Sequence, residues 1–191
     1  MKLHNKIFSG KHTNAIEFGT DRGGGLTTIS KFIKENSNIY SVDSFGIHAD
    51  EIKGNVSKYD EHYQGKYMPF TKKTRFKDFS HIEMTENLNK ILFKKNSKLE
   101  TLVGYFPNLQ KKDMDKILNL KFSFVHLDFD LYQSTIDTFN FIKDRLEKNA
   151  IILFDDYNLI NQEGVKKAVE DLKIDLDKGI QTQSGQLILF N

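Results

Sequence analysis

The run Ala150-Ile-Ile-Leu-Phe154 passes directly into Asp155 and Asp156. Five apolar residues in succession do not show the alternation of a strand with one wet face. They suit a strand covered on both faces, the situation inside a parallel sheet flanked by helices. Two neighbouring carboxylates then fall at the strand's carboxyl end, the edge at which open α/β sheets bind ligands.

The rest of the chain supplies what such a strand requires. Strand patterns occur at 14–19, 38–44, 99–104, 122–128, 150–155 and 185–190. Helical spacing occupies the intervals at 26–36, 84–96, 112–118, 134–146 and 163–172. Alternating strands and helices predict a doubly wound, Rossmann-like α/β fold: a mostly parallel sheet with helices on both faces. At 191 residues the chain fits one domain, 1–191. With 38% hydrophobic residues and 16 Phe it can build a core. A net charge of +2 gives no reason to expect a nucleic-acid partner. The absence of Cys excludes disulfides and thiolate metal sites. Without an apolar leader or a bilayer-length run, the expected protein is soluble and cytoplasmic, with no membrane partner.

Two groups of residues carry chemistry. In IEFGTDRGGGLT (16–27) a strand meets a glycine turn and then a helix, and Asp43 ends the next strand, placed to accept bonds from ribose hydroxyls. The glycines match G-x-G-x-x-G poorly, and Glu17 precedes Gly19. A carboxylate there disfavours a pyrophosphate and suits a cationic cofactor without phosphate, which points to S-adenosylmethionine; a plain flexible turn beside a surface acid accounts for the segment equally well. In FVHLDFDLYQST (124–135) and ILFDDYN (152–158), Asp128, Asp130, Asp155 and Asp156 stand at the ends of successive strands. Adjacent strands lie roughly 4.8 Å apart, so these ends can converge. Crowded carboxylates need a proton or a cation, and an all-oxygen set favours Mg²⁺. Helix capping is the ordinary use of such acids, weakened here by the second acidic pair. His126 shares a side of its strand with Asp128 and reads first as a hydrogen-bonded core histidine.

Taken together, IEFGTDRGG, YSVDSFG, LVGYFPNL, FVHLDFDLYQST, IILFDDYN and GVKKAVEDL resemble the macrocin O-methyltransferase group of Mg²⁺-dependent sugar O-methyltransferases, within the class I S-adenosylmethionine-dependent methyltransferases. The resemblance runs from residue 14 through most of the chain; DFDLYQST followed by FDDYN is its most specific part. It implies a seven-stranded sheet. It also implies that Glu17, Gly19, Thr20 and Gly23 hold the methionine part of the cofactor, that Asp43 and Ser44 meet the ribose, and that Gly104, Tyr105 and Phe106 lie near the adenine. Asp128 would border the cofactor and, with Asp155 and Asp156, ligate Mg²⁺. Asp130 would be the catalytic base or would orient the acceptor, with Asp128 itself the other candidate base. Catechol-type relatives place a Lys three residues after the first metal-binding Asp, where this chain has Leu131.

The long connection 46–83 departs from the family pattern, as does the short segment before the first strand. With Tyr59, Tyr63, Tyr67, Phe70, Lys72, Lys73, Arg75 and Phe76 it reads as a lid or acceptor-binding insertion for a sugar or nucleotide-sugar. A solvated loop or a homo-oligomer contact is the plainer alternative. Two other functions stay open at this level. The D-x-D pairs would also serve a metal-dependent phosphatase or glycosyltransferase, and a shortened methyltransferase fold could bind cofactor without catalysis.

Overall fold

The computed structural model describes residues 13–46, 57–63, 75–159 and 163–191. In chain order the elements are β1 (Ala15–Phe18), α1 (Gly24–Phe32), β2 (Ile39–Asp43), α2 (His81–Phe93), β3 (Leu99–Val103), α3 (Lys111–Leu118), β4 (Phe122–Leu127), α4 (Tyr132–Ile142), β5 (Leu146–Phe154), α5 (Glu163–Asp171), β6 (Gly179–Gln181) and β7 (Leu187–Phe190). They form one seven-stranded sheet in the order β3-β2-β1-β4-β5-β7-β6. β1 to β5 pair with one another in parallel. β7 runs antiparallel to both β5 and β6. The expected Rossmann-like α/β fold is therefore present, with its strand order reversing beside β1.

Strand alternation divides the core into two layers. Ala15, Ile39, Leu99, Phe124 and Ile151 face α1 and α2, meeting Leu26, Ile29, Leu88 and Leu92. Ile16, Val42, Leu102, Val125, Ile152 and Phe154 face the other way and meet Ile117 of α3, Ile142 of α4 and Val165 and Val169 of α5. Each fully buried side chain of this size contributes roughly 1.5–3 kcal/mol. The apolar run 150–154 is thus covered on both faces, as its composition demands.

Several boundaries differ from the sequence pattern. α1 stops at Phe32, short of residue 36, and Ile33 is already extended. Lys95, from the turn after α2, donates to the carbonyls of Ser30, Lys31 and Ile33 at 2.9–3.0 Å and so satisfies the helix's last acceptors. α4 ends at Ile142 rather than 146, and a 3-10 turn leads into β5, which starts at Leu146 instead of 150. The added length pairs with β4 only at Phe122–Leu146 before a register shift, and its exposed Lys148 and Asn149 carry no strand pattern. β6 is a three-residue edge strand, too short for periodicity to reveal.

Part of the 46–83 connection lies outside the described residues, including Tyr67, Phe70, Lys72 and Lys73. The 3-10 turn Lys58–Tyr63 is fastened to the main body by Asp60, which is fully buried. Its carboxylate accepts from Ser57 Oγ at 2.9 Å and from the Tyr132 amide at 3.1 Å. A negative charge thereby caps the first residue of α4, where the helix presents its unpaired N–H groups. Gly164 of α5 makes room for this contact: a Cβ there would stand 1.9 Å from Asp60 Oδ1. Gly164→Ala is expected to destabilise the protein by roughly 2–4 kcal/mol in urea unfolding, although Ala favours a helix over Gly by about 1 kcal/mol. An unchanged or raised midpoint would show that Asp60 does not need its present position.

Candidate active site

The strand ladders continue one step past the strand ends and gather the turns at one edge. Gly19 N donates to Val42 O, Asp128 N to Phe18 O, Gly104 N to Asp43 O and Asp155 N to Leu127 O, each at 2.9 Å. Residues far apart in sequence are thereby brought onto the carboxyl edge of β1 to β5.

The glycine turn is built against its neighbours. Gly19 has φ +83°, and a Cβ there would fall 1.7 Å from the backbone oxygen of Asp128. Thr20 is buried and donates to Ser41 Oγ at 3.0 Å. Gly23, also at positive φ, precedes α1. Asp43 accepts from Asp21 N at 2.7 Å and from Phe45 N at 2.6 Å, so its carboxylate shapes the turn itself. Burial raises its pKa to about 6, against the opposing effect of those amides. Ser44 is buried beside it. Arg75 ties the end of the 46–83 connection here: its Nε donates to Asp21 Oδ1 at 2.6 Å, and its carbonyl accepts from Arg22 Nε at 3.1 Å. Phe76 packs edge-on against Phe45, with ring centroids 6.0 Å apart.

Gly104, Tyr105 and Phe106 lie at the end of β3, but the two aromatic side chains point into protein. Tyr105 is buried with its hydroxyl 3.2 Å from Ser134 Oγ. Phe106 packs edge-on against Phe18 and Phe141, both with centroids 5.2 Å away.

The acids sort into two groups that share Asp128. One comprises His126, Asp128 and Asp155, the other Asp128, Asp130 and Asp156; in each, donor atoms lie within 4.8 Å of one another. The sequence-based set Asp128, Asp155 and Asp156 is therefore divided between them. Asp155 is drawn toward Gln186, whose Nε2 donates to Oδ1 at 2.5 Å, and toward His126 Nε2 at 3.6 Å. Asp130 adopts φ +61°, a conformation that Asp tolerates better than most residues.

The electrostatics separate the four acids. The His126 imidazole beside it holds Asp155 below its ordinary value, against burial. Burial raises Asp128 to about 7; His126 opposes this, while Asp155 and Asp130 add to it. Burial, then the charges of Asp130 and Asp128, raise Asp156 to about 9, and its Oδ2 is buried without a hydrogen-bond partner. An orphaned carboxylate oxygen facing further carboxylates fits a hard divalent cation, and the Asp128, Asp130 and Asp156 donors are all oxygen.

Glu17, expected beside the cofactor, faces His126 beneath the glycine turn. It is 1% exposed, and its Oε1 lies 2.7 Å from His126 Nδ1. Its strand parity carried the signal: Glu17 shares a face with Ala15 and pairs in register with His126, so both point toward α1. Burial raises Glu17 despite the His126 hydrogen bond. Burial lowers the imidazole, but Asp155 and Glu17 outweigh it and bring His126 to about 10.

Residues 5–183 match the family model described as macrocin-O-methyltransferase (TylF). Among solved structures the chain is similar to CalS11, calicheamicin methyltransferase, with TM-score 0.72 and 18% identity over 99% of this chain and 76% of that one. A second CalS11 structure, described as TDP-rhamnose 3'-O-methyltransferase, gives TM-score 0.65 and 15% identity over the same shares. The O-methyltransferase NovP gives TM-score 0.69 and 18% identity, again over 99% and 76%. No curated protein matches the sequence significantly. Among the described residues no helix is long and apolar enough to cross a membrane.

Proposed function

The chain is an O-methyltransferase of the macrocin-O-methyltransferase family, and on that premise we propose that it moves the methyl group of S-adenosylmethionine to a hydroxyl of a sugar or nucleotide-sugar, assisted by Mg²⁺. The observation that carries this reading is the pair of acid groups meeting at Asp128, with Asp156 Oδ2 buried and unpartnered beside them. A nucleotide-sugar acceptor is favoured because CalS11 is a TDP-rhamnose 3'-O-methyltransferase.

Asp128, where the two groups meet, would hold the cation together with Asp155 from one group and Asp156 from the other. When bound it would acidify a coordinated sugar hydroxyl and fix its direction. Asp130, beside Asp156, would accept the hydroxyl proton; Asp128 is the other candidate for that step. The glycine turn from Gly19 to Gly23 would meet the methionine part of the donor through backbone, with Asp43 holding that turn in shape. Asp43 also stands at the end of β2, where a ribose would be read, with Ser44 beside it. A phosphatase that uses D-x-D would need it after the first core strand, whereas Asp128 and Asp130 follow β4 and β1 carries the glycine turn.

Titration calorimetry with S-adenosylmethionine, followed by methyl transfer to a panel of nucleotide-sugars, tests the proposal. The expected result is cofactor binding, and a product one methylene heavier that is lost with EDTA and restored by Mg²⁺. No cofactor binding would overturn the methyl-donor reading. Transfer that EDTA leaves unchanged would overturn the role of Mg²⁺.

A further inference from the structure

Glu17 and His126 form a buried pair beneath the glycine turn, and that pair reaches the acid cluster. The two residues stand opposite each other in the β1–β4 register, on the face covered by α1. His126 Nδ1 lies 2.7 Å from Glu17 Oε1, while its Nε2 lies 3.6 Å from Asp155 Oδ1 and is buried without a hydrogen-bond partner. The start of α1 is shaped to admit them: a Cβ on Gly25 would stand 1.8 Å from Glu17 Oε1 and 3.3 Å from His126 Nδ1. Replacing either partner by an apolar group would leave a polar group buried and unpaired, which proteins avoid.

Resting on the metal-assisted reading above, we propose that Glu17 and His126 are positioning residues for Asp155, a strut that fixes its carboxylate as a cation ligand and ties the donor end of the site to the cation end. A carboxylate facing Nε2 can only accept, so the ring hydrogen belongs on Nε2 whichever of Nδ1 and Oε1 holds the shared proton. Nε2–H and the Gln186 amide both approach Oδ1 of Asp155. The other oxygen, Oδ2, is left for an ion. The relation is that of an outer-shell partner that orients a metal ligand, whose loss typically weakens metal binding 10–100-fold.

The test is a double-mutant cycle read by calorimetry of Mn²⁺ and Mg²⁺ binding, with melting curves to confirm folding. His126→Ala is expected to weaken cation binding by about 10–100-fold, and Glu17→Ala by a similar factor although it stands one residue further away. The double variant should lose no more than either single one, because both act through the same contact. His126→Gln, which returns a donor toward Asp155, should restore most of the affinity. Should the Ala variants not fold, His126→Asn replaces them: it keeps a polar group near Nδ1 but none at Nε2. Additive losses, or unchanged affinity in a folded His126 variant, would overturn the strut. A loss that folded His126→Gln does not restore would make the imidazole itself the ligand, and would equally overturn a positioning role. Wild-type protein that binds neither ion would instead sink the metal-assisted reading on which this inference rests.

Discussion

Asp128→Asn is expected to lower kcat/KM by about 10²–10⁴-fold while raising the melting temperature of the metal-free protein. The activity loss follows from its place in both acid groups. The stability gain follows from the cost of keeping it charged. Its folded pKa is about 7, chiefly through burial, opposed by His126 and reinforced by Asp155 and Asp130. An unfolded Asp titrates near about 3.9. A carboxyl shifted upward on folding binds more protons in the native state between these values. The native state therefore loses stability as pH rises through that window, and above the folded pKa the whole penalty is present. Asn carries no such penalty. In EDTA at pH 8 the variant should gain on the order of 1–3 kcal/mol once solvent screening at the sheet edge is allowed for, hence several degrees in melting temperature. Near pH 4 the difference should vanish. A variant that melts lower than wild type at pH 8 would show that Asp128 is held by favourable contacts rather than tolerated for its function.

Gly19→Ala should produce the second large effect, by pure geometry. The residue sits at φ +83°, which costs an L-residue roughly 1–2 kcal/mol. Its new Cβ would fall 1.7 Å from Asp128 O and 2.5 Å from Asp128 C. Both are backbone atoms, so no side-chain rotation gives relief and β1 and β4 must part at the active edge. The expected result is a loss of roughly 3–5 kcal/mol in urea unfolding, and cofactor binding weakened at least about 100-fold. Gly24→Ala is the control: nothing lies within 4 Å of the site of its Cβ. As the first residue of α1 it should be neutral, or gain up to about 1 kcal/mol. Equal behaviour of the two variants would contradict this account of the turn.

The features legible in the sequence were those with a period or a sharp change of polarity. The run 150–154, buried on both faces, and the acids that end β4 and β5 were of this kind, and they led to the fold and to the edge that carries the site. What escaped depended on a partner elsewhere in the chain. α1 ends early because Lys95 supplies donors from 62 or more residues away. In the sequence Asp60 looks like any loop acid; its contact with the Tyr132 amide, 72 residues on, sets it apart. Nearness to the glycines places Glu17 beside the turn, but only its strand parity reveals the pairing with His126. Reading His126 as a hydrogen-bonded core histidine agrees with its contact to Glu17 but leaves out its approach to Asp155. Local pattern fixed which residues reach the edge; side-chain direction decided which of them face one another.

Asp60 and Arg75 fasten the connection at two places, one to the start of α4 and the other to Asp21 in the glycine turn. Both contacts are made by described residues of the connection, so each can be removed by a single substitution. The two fastenings are separate in space as well as in sequence, so the losses from Asp60→Asn and Arg75→Ala should add within about 0.5 kcal/mol in urea unfolding.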